Sequence, residues 1–271
     1  SDLDLVFVSD NFSEGDVAER QKRLMDGLRK FTREMETRTV DGFLYRIDLN
    51  LRPWGRSGPL FMAIDDTEHY YESGSEPWER FAWLRARPVA GARHVGQDLL
   101  QRLGPFLYLR SLSTADLDRF VAIKNEMAST RRRRGHWNVK LGDGGIRDIE
   151  FFVQTLQVVN AASHPALRTT STLGALQGLV EAGIISKDEE ANIRGSYLFL
   201  RRLENHLQMI DEQQTHELPD DPAARLVLAR SLGIGAASQD GILDEFESRL
   251  HLNRSIACAY FERILPGAET A

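Results

Sequence analysis

The chain has 271 residues, of which 42% are hydrophobic and 27% are charged. These values are ordinary for a globular protein and exclude a disordered or fibrous chain. The formal net charge of -6 argues against a general nucleic-acid binder, because phosphate contacts usually require a basic surface. A nucleotide or a protein remains open as a substrate.

Composition and the N-terminal pattern together favour a cytoplasmic protein. No apolar run approaches the length of a membrane span, and the N-terminus lacks the basic-then-apolar pattern of a signal peptide. The single cysteine, Cys258, cannot form an internal disulfide, which suits a reducing compartment. Since the sequence opens directly on an apolar strand, we expect a fragment whose preceding residues belong to the same site.

Two short strands and one helix are predicted near the N-terminus. Residues 3–8 form an apolar strand, and residues 44–51 form a second one that alternates around Ile47 and Leu49. Between them lies a helix whose core face repeats with roughly a 3.6-residue period. That face consists of Val17, Leu24, Leu28, Phe31 and Met35. Residues 52–59 are rich in Pro and Gly and predict an ordered loop.

From residue 76 onward the pattern is helical, and no convincing strand follows residue 112. The predicted helices span residues 76–87, 94–103, 113 or 114 toward 134, a stretch after the glycine loop 142–145, 171–182, 186 to about 213, 222–232 and 239–265. Ser186 and Glu189 form a capping box at the start of the long helix. The sequence therefore predicts an α+β protein: a nucleotidyltransferase-like small mixed sheet with helices in residues 1–112, then a helical bundle in 113–271.

Three aspartates on the predicted strands are candidate metal ligands. Asp2 and Asp4 are two residues apart, so both carboxylates point to the same face of their strand. Asp48 interrupts the apolar pattern of the second strand and completes a triad if the two strands are neighbours. Such triads hold Mg²⁺, and a pair of ions can serve phosphoryl-type transfer. The spacing alone is a weak signal, because the same carboxylates would also suit an exposed strand edge.

The residues around these carboxylates form long and specific strings. They are SDLDLVF at 1–7, YRID at 45–48, LRP at 51–53, GRSGPL at 55–60, YY at 70–71, WER at 78–80, RARPV at 85–89 and KLGDGGIRDIEF at 140–151. Together they resemble the glutamine synthetase adenylyltransferase/adenylyl-removing family, a branch of the nucleotidyltransferase superfamily. The resemblance covers nearly the whole chain. One departure is Asn50, where the family pattern usually has Arg.

The resemblance implies a function and a set of site residues. Family enzymes contain two catalytic units, one that attaches AMP to a tyrosine of glutamine synthetase and one that removes it by phosphorolysis, and residues 197–219 look like the removing unit. The resemblance implies Asp2, Asp4 and Asp48 as catalytic metal ligands for one or two Mg²⁺ ions, and the PII signalling protein as a regulator. The residues implied in binding adenine nucleotide and phosphate are Ser1, Arg52, Arg85, Arg87, Lys140, Arg147 and Glu150. A Gly-Ser turn for the nucleotide phosphates would precede Ser1.

One helix presents a polar face with two possible interpretations. Its members are Arg147, Glu150, Gln154 and Gln157, which follow helical spacing opposite the apolar stripe. A solvated face would look identical. With the resemblance and a glycine loop just before the helix, we expect this face to line a cleft opposite the carboxylates. Lys140 and Arg147 would bind phosphate beside the helix N-terminus, whereas Arg52, Arg85 and Arg87 either do the same or pair with structural carboxylates.

Three rival functions stay open at this stage. The adenylylating unit would run the same chemistry with ATP as donor. A uridylyltransferase of the PII-modifying kind shares the superfamily triad, although its resemblance over residues 140–219 is poorer. A non-catalytic regulatory module would use the helical bundle to bind a signalling protein. The run Arg131–Arg134 is interpreted as a solvated helix end, and no ligand spacing assigns His136, His206 or His216.

Overall fold

The computed structural model describes residues 2–12, 17–109, 112–119, 121–122, 137–210 and 215–265. The chain divides into two compact units, Ser1–Arg110 and Ser111–Ala271. The elements of the first unit are short strands and helices and those of the second are helices, which confirms the expected α+β class. Within the described ranges, no helix is long and apolar enough to cross a membrane.

The first unit contains two short parallel strand pairs. Strand β1 (Leu3–Asp4) pairs with β3 (Ile47–Asp48), and β2 (Phe7–Ser9) pairs with β4 (Phe61–Ala63). The strand predicted over residues 3–8 is thus divided between two partners, and the second strand is shorter than predicted. Sequence patterns missed β4, because three residues are too few to establish an alternation.

In the described residues of the first unit, four α-helices and a π-helical turn accompany the strands. They are α1 (Val17–Glu36), α2 (Ile64–Ser73), α3 (Pro77–Trp83), α4 (Arg93–Arg102) and the turn Pro105–Leu109. Helix α2 was not predicted. Helix α3 begins at a capping box in which the Glu76 N–H donates to Glu79 Oε2 at 2.8 Å, and it ends at Trp83 rather than at Arg87.

The core of the first unit lies beneath α2, α3 and α4. Its buried side chains include Ile64, Tyr71, Trp83, Leu99, Leu103 and Phe106. Helix α1 contributes no buried residue, and Phe31 on its predicted core face is 42% exposed. The other predicted core-face residues, Val17, Leu24, Leu28 and Met35, are half-buried, so this face is only partly covered. The physical reason is that two short strand pairs offer too narrow a surface to cover a helix of 20 residues.

The second unit is a helical bundle. Its helices are α5 (Ile146–Asn160), α6 (Thr172–Glu181), α7 (Lys187–Ile210), α8 (Pro222–Ser231) and α9 (Gln239–Glu262). Helix α9 packs on α5, α7 and α8, and α5 also packs on α6 and α7. Residues 114–119 and 121–122 are helical as well. The run Arg131–Arg134 and His136 lie outside the described residues.

The hydrogen bonds at the start of α7 confirm the capping box that the sequence predicted. The Ser186 N–H donates to Glu189 Oε2 at 2.7 Å, and the Glu189 N–H donates to Ser186 Oγ at 3.1 Å. Arg263 Nη1 adds an ion pair to Glu189 Oε1 at 2.6 Å. The backbone N–H of Ser186 and the Arg263 guanidinium together lower the pKa of Glu189 below its ordinary value.

We expect Glu189→Gln to destabilise the chain by about 0.5–1 kcal/mol at pH 7, because it removes a charged cap. Since the pKa of Glu189 is lowered by folding, its contribution is present above the unfolded pKa of about 4.3 and is lost as the pH falls through the folded value. Urea unfolding at pH 7 and at pH 3 measures the difference. Glu262→Gln, at an exposed site on α9, is the control and should leave the free energy of unfolding unchanged at both pH values. If Glu189→Gln is as destabilising at pH 3 as at pH 7, the charged Glu189 is not the source of the stability.

Candidate active site

The pairing of β1 with β3 brings two of the predicted carboxylates together. Asp4 and Asp48 are register partners in this parallel pair, and the Leu5 N–H donates to the Asp48 carbonyl at 2.9 Å. Register partners on parallel strands present their side chains to the same face, and the strands are about 4.8 Å apart. The expectation that the two strands are neighbours is confirmed. Asp4 is exposed and Asp48 is half-buried, so this face is open to a ligand.

Asp2 lies on the same face but is engaged by a cation. Arg46 Nε donates to Asp2 Oδ1 at 2.7 Å. Sequence reasoning missed this contact, although Arg46 stands two residues before Asp48 and therefore shares its face. The ion pair neutralises Asp2 beside the other two carboxylates. The role of Asp2 as a third metal ligand stays a prediction.

The donor chemistry of Asp4 and Asp48 suits a hard divalent cation such as Mg²⁺, which prefers carboxylate oxygens. Asp48 Oδ1 also accepts the Asn50 N–H at 2.7 Å, and this bond fixes the orientation of the carboxylate. No group of three His, Cys, Asp or Glu side chains gathers closely enough for a metal within the part of the chain that the structure describes. The donor chemistry of Asp4 and Asp48 is compatible with such an ion, and their role as metal ligands stays a prediction.

The loop that follows Asp48 is held by Arg52. Its guanidinium donates to three carbonyls of the loop, those of Leu49 at 2.7 Å, Arg56 at 3.2 Å and Gly58 at 3.3 Å. A Cβ at Gly58 would lie 1.9 Å from the Pro53 carbonyl oxygen, so only glycine permits this closure. Arg52 thus closes this loop with three of its five N–H donors, and a role in nucleotide binding stays a prediction.

Arg85, Arg87 and Ser1 are the other nucleotide-binding candidates of the first unit. Arg85 is half-buried and Arg87 is exposed, and both follow the end of α3. Ser1 lies outside the described residues. A role for any of the three in nucleotide binding stays a prediction.

The glycine loop of the second unit is closed by its own hydrogen bonds. The Ile146 N–H donates to the Val139 carbonyl at 2.9 Å, and the Arg147 N–H donates to the Lys140 carbonyl at 3.0 Å. The Gly144 N–H donates to the buried Asp148 Oδ2 at 2.8 Å. Because these N–H groups are paired, the backbone at the start of α5 offers little to an anion. Phosphate binding by this region depends on the side chains of Lys140 and Arg147.

The two glutamines of the polar face of α5 are buried. Gln157 is 3% exposed, and its Nε2 donates to the carbonyls of Leu167 at 2.9 Å and Thr169 at 3.0 Å. Gln154 is 5% exposed. Gln157 therefore ties α5 to the segment before α6. The placement of this face relative to the carboxylates of the first unit stays a prediction.

Arg147 and Glu150 lie at the N-terminal end of the same face. Tyr197 of α7 donates its hydroxyl to Glu150 Oε1 at 3.3 Å, and Arg147 Nη1 lies 3.9 Å from Glu150 Oε2. The Glu150 side chain is 14% exposed, whereas that of Arg147 is 41% exposed. Arg147 is thus the member of the face that a solute can reach.

Helix α7 carries a buried carboxylate, that of Glu204. Glu204 is 4% exposed, with Arg201 Nη1 at 2.9 Å and His216 Nδ1 at 3.0 Å from its two oxygens. Burial alone would raise the pKa of Glu204, but the close approach of His216 and the charges of Arg201 and Lys140 outweigh it, so the pKa is lowered. Sequence reasoning left His216 unassigned, because the search was for metal-ligand spacing and a Glu–His contact has no such signature.

Two family models match the chain, one over each unit. The model described as glutamate-ammonia ligase adenylyltransferase matches residues 1–102, and the model described as GlnD PII-uridylyltransferase matches residues 119–264. The second match spans residues 140–219, so this segment does not separate the two families as we expected.

Curated relatives match both units at once. The bifunctional glutamine synthetase adenylyltransferase/adenylyl-removing enzyme of Stenotrophomonas maltophilia (strain K279a) is 42% identical over 240 residues, which cover 86% of this chain and 26% of the relative. The enzyme of the same name from Thioalkalivibrio sulfidiphilus (strain HL-EbGR7) is 39% identical over 241 residues, 86% of this chain and 24% of the relative. By name, both relatives are nucleotidyl-transfer enzymes.

The chain belongs to the glutamine synthetase adenylyltransferase/adenylyl-removing family. It spans about a quarter of the length of the curated relatives that it matches, 26% in one case and 24% in the other.

Proposed function

We propose that the protein containing this chain removes AMP from the adenylyl-tyrosine of glutamine synthetase by phosphorolysis, in the cytoplasm, and that this chain carries the removing activity. Inorganic phosphate attacks the α-phosphorus, the bond from phosphorus to the tyrosine oxygen breaks, and the products are ADP and free tyrosine. The observation that carries the proposal is the register pairing of Asp4 with Asp48 on an open strand face in a member of this family.

The chain's own residues supply orientation and charge for this reaction. Asp4 and Asp48 would hold Mg²⁺, which when bound neutralises phosphoryl oxygens and stabilises a departing phenolate. The bond from the Asn50 N–H keeps Asp48 in one orientation, and Arg52 holds the loop behind it. Lys140 and Arg147 offset the repulsion between the phosphate and the anionic substrate. A second Mg²⁺ would bind if Asp2 leaves Arg46.

One other activity and one regulatory partner have an observation in their favour. The names of the relatives contain adenylyltransferase as well as adenylyl-removing activity, which supports ATP-dependent adenylylation by the same carboxylates. The match of residues 119–264 to a PII-uridylyltransferase model supports a connection with the PII protein, which we propose as a regulator rather than a substrate. Adenylylation differs from phosphorolysis in its AMP donor, which is ATP instead of the adenylyl-tyrosine.

The nucleotide requirement distinguishes these activities. Adenylylated glutamine synthetase is incubated with the natural protein, Mg²⁺ and either phosphate or ATP. We expect ADP and unmodified glutamine synthetase to form with phosphate and without ATP, because phosphorolysis consumes phosphate as the nucleophile. The reverse reaction is tested with ATP and unadenylylated glutamine synthetase, in a protein whose second catalytic unit is inactivated and whose Asp4 and Asp48 are intact. Adenylylation of glutamine synthetase by this protein would instead assign the chain to adenylylation.

A further inference from the structure

The loop after Asp48 carries a second arginine, Arg56, which is tied to the carboxylate pair by hydrogen bonds. Asp48 Oδ1 accepts the Asn50 N–H at 2.7 Å, and Asn50 Oδ1 accepts the Arg56 Nε–H at 3.1 Å. Two hydrogen bonds and one asparagine side chain therefore connect the two groups, and they hold Arg56 Nε within about 11 Å of the Asp48 carboxylate. All three residues belong to the first unit.

The backbone that carries Arg56 is fixed independently of its side chain. Residues Gly55–Ser57 form a 3-10 turn, and Arg52 Nη2 donates to the Arg56 carbonyl at 3.2 Å. A Cβ at Gly55, which has a φ of +56°, would lie 3.5 Å from the Asn50 carbonyl oxygen, so the turn packs against Asn50. The loop therefore presents the Arg56 side chain from a defined position.

A structural role does not account for the Arg56 side chain. Arg52 already closes the loop through three carbonyls. Arg56 is exposed, and an exposed hydrogen bond to a neutral amide adds little to stability, because water competes for both groups. Within the described ranges of the chain, Nη1 and Nη2 of Arg56 have no protein acceptor, so both terminal amino groups are open to a ligand.

The charges around Asp4 and Asp48 leave this place to Arg56. The two carboxylates repel an anionic substrate, so a phosphoryl group on this face needs cations from the protein as well as from any bound metal ion. Arg46 is paired with Asp2, and Arg52 bonds the loop carbonyls. Arg56 is the arginine of this loop whose terminal donors face outward.

We infer that Arg56 is a substrate-binding residue of the reaction proposed above, that it binds a phosphate group, and that Asn50 is its positioning residue. The terminal amino groups of Arg56 form a fork that matches two phosphate oxygens, while Nε stays with Asn50. Asn50 stands where the family pattern usually has Arg, and here Arg56 brings a guanidinium to the same place. Two substrates offer this chemistry, namely the adenylyl group and the attacking inorganic phosphate.

The pair of Asn50 and Arg56 permits a rescue experiment. Arg56→Gln removes the charge and the fork, and Arg56→Lys keeps the charge without the fork. Combining Asn50→Arg with Arg56→Gln returns a guanidinium from the other member of the pair. Arg20→Gln, at an exposed site on α1, removes the same charge elsewhere in the first unit and is the control. Thermal unfolding followed by circular dichroism verifies that all four proteins fold.

Isothermal titration calorimetry of the chain with Mg²⁺ measures the binding of AMP and, separately, of inorganic phosphate. We expect Arg56→Gln to raise the Kd for at least one of them about tenfold, because a charge-assisted bidentate contact is lost. The Kd should recover in part in Arg56→Lys and in the double variant, and it should stay within about twofold in Arg20→Gln.

The two titrations distinguish the sources of the phosphate group. A higher Kd for AMP alone assigns Arg56 to the adenylyl group, and a higher Kd for inorganic phosphate alone assigns it to the nucleophile. Both results support the inference. Unchanged Kd values in Arg56→Gln, an equal rise in Arg20→Gln, or no binding of either ligand to the unsubstituted chain would overturn it.

The kinetics of AMP removal separate this inference, which rests on the proposed function, from that function itself. In the natural protein with its second catalytic unit inactivated, Arg56→Gln should raise the KM for phosphate or for adenylylated glutamine synthetase about tenfold, and the double variant should reverse the rise. AMP removal with unchanged kcat and KM would refute the role of Arg56 and leave the function standing. Weaker AMP or phosphate binding in Arg56→Gln but not in Arg20→Gln, in a protein that removes no AMP, would refute the function and leave the site standing.

Discussion

Asp4→Asn in the natural protein should lower the rate of AMP removal by about a thousandfold. Asparagine keeps the shape of the side chain but removes one negative charge from the face on which Asp4 and Asp48 are register partners. A site that holds divalent cations through carboxylate oxygens loses occupancy when one charge is removed. The loss of that ion removes stabilisation from the attacked phosphoryl group and from the phenolate alike.

The same substitution should leave stability almost unchanged. Asp4 is exposed, and the loss of its charge relieves repulsion with Asp48. Asp26→Asn, at an exposed site on α1, is the control for a nonspecific effect of charge and should keep full activity. A folded Asp4→Asn protein with near-full phosphorolysis would contradict the role of the paired carboxylates. If the Asp4→Asn protein does not fold, its loss of activity says nothing about metal binding. Asp48→Asn is then measured in its place.

Gly144→Ala should destabilise the second unit by about 3 kcal/mol. Gly144 has a φ of +73°, a conformation that alanine adopts only with strain. A Cβ at this position would lie 2.5 Å from the Arg254 carbonyl oxygen and 2.9 Å from the Arg254 Cα, and both atoms belong to the backbone of α9. Relief would require the glycine loop to move away from α9, which would also displace Lys140.

Gly195→Ala on α7 is the matched control for Gly144→Ala. No heavy atom lies within 4 Å of a Cβ at Gly195, which is exposed in a helix. Alanine is the better helix former, so this substitution should stabilise the chain by about 0.5–1 kcal/mol. Urea unfolding followed by helical circular dichroism compares the two variants. Equal effects of the two substitutions would refute the argument from backbone geometry.

Local signals in the sequence predicted most helices of the second unit well. The capping box of Ser186 and Glu189 marks the start of α7, and Gly183, with a φ of +70°, follows the end of α6. The position of Asp48 within an apolar strand indicated a partner strand for Asp4, which the structure bears out. These features depend on neighbours in the chain or on the alternation of a strand, and both are visible in a single sequence.

The features that the sequence missed depend on contacts between distant segments. Periodicity assigns Gln154 and Gln157 to a polar face, but it does not reveal that the segment of Leu167 and Thr169 covers Gln157. Likewise, the spacing places Arg46, which precedes β3, on the face of Asp48, but it does not reveal that Arg46 pairs with Asp2. A side chain's face follows from local geometry, whereas its partner follows from the fold.

The transfer of labelled phosphate tests the central claim most directly. Adenylylated glutamine synthetase is incubated with the natural protein, Mg²⁺ and ³²P-phosphate, with the second catalytic unit inactivated and no ATP added. Phosphorolysis joins the attacking phosphate to the released AMP, so the label should appear in ADP, and Asp4→Asn should abolish the labelled product. Release of unlabelled AMP would show hydrolysis in place of phosphorolysis, and an absence of any nucleotide product would contradict the assignment of AMP removal to this chain.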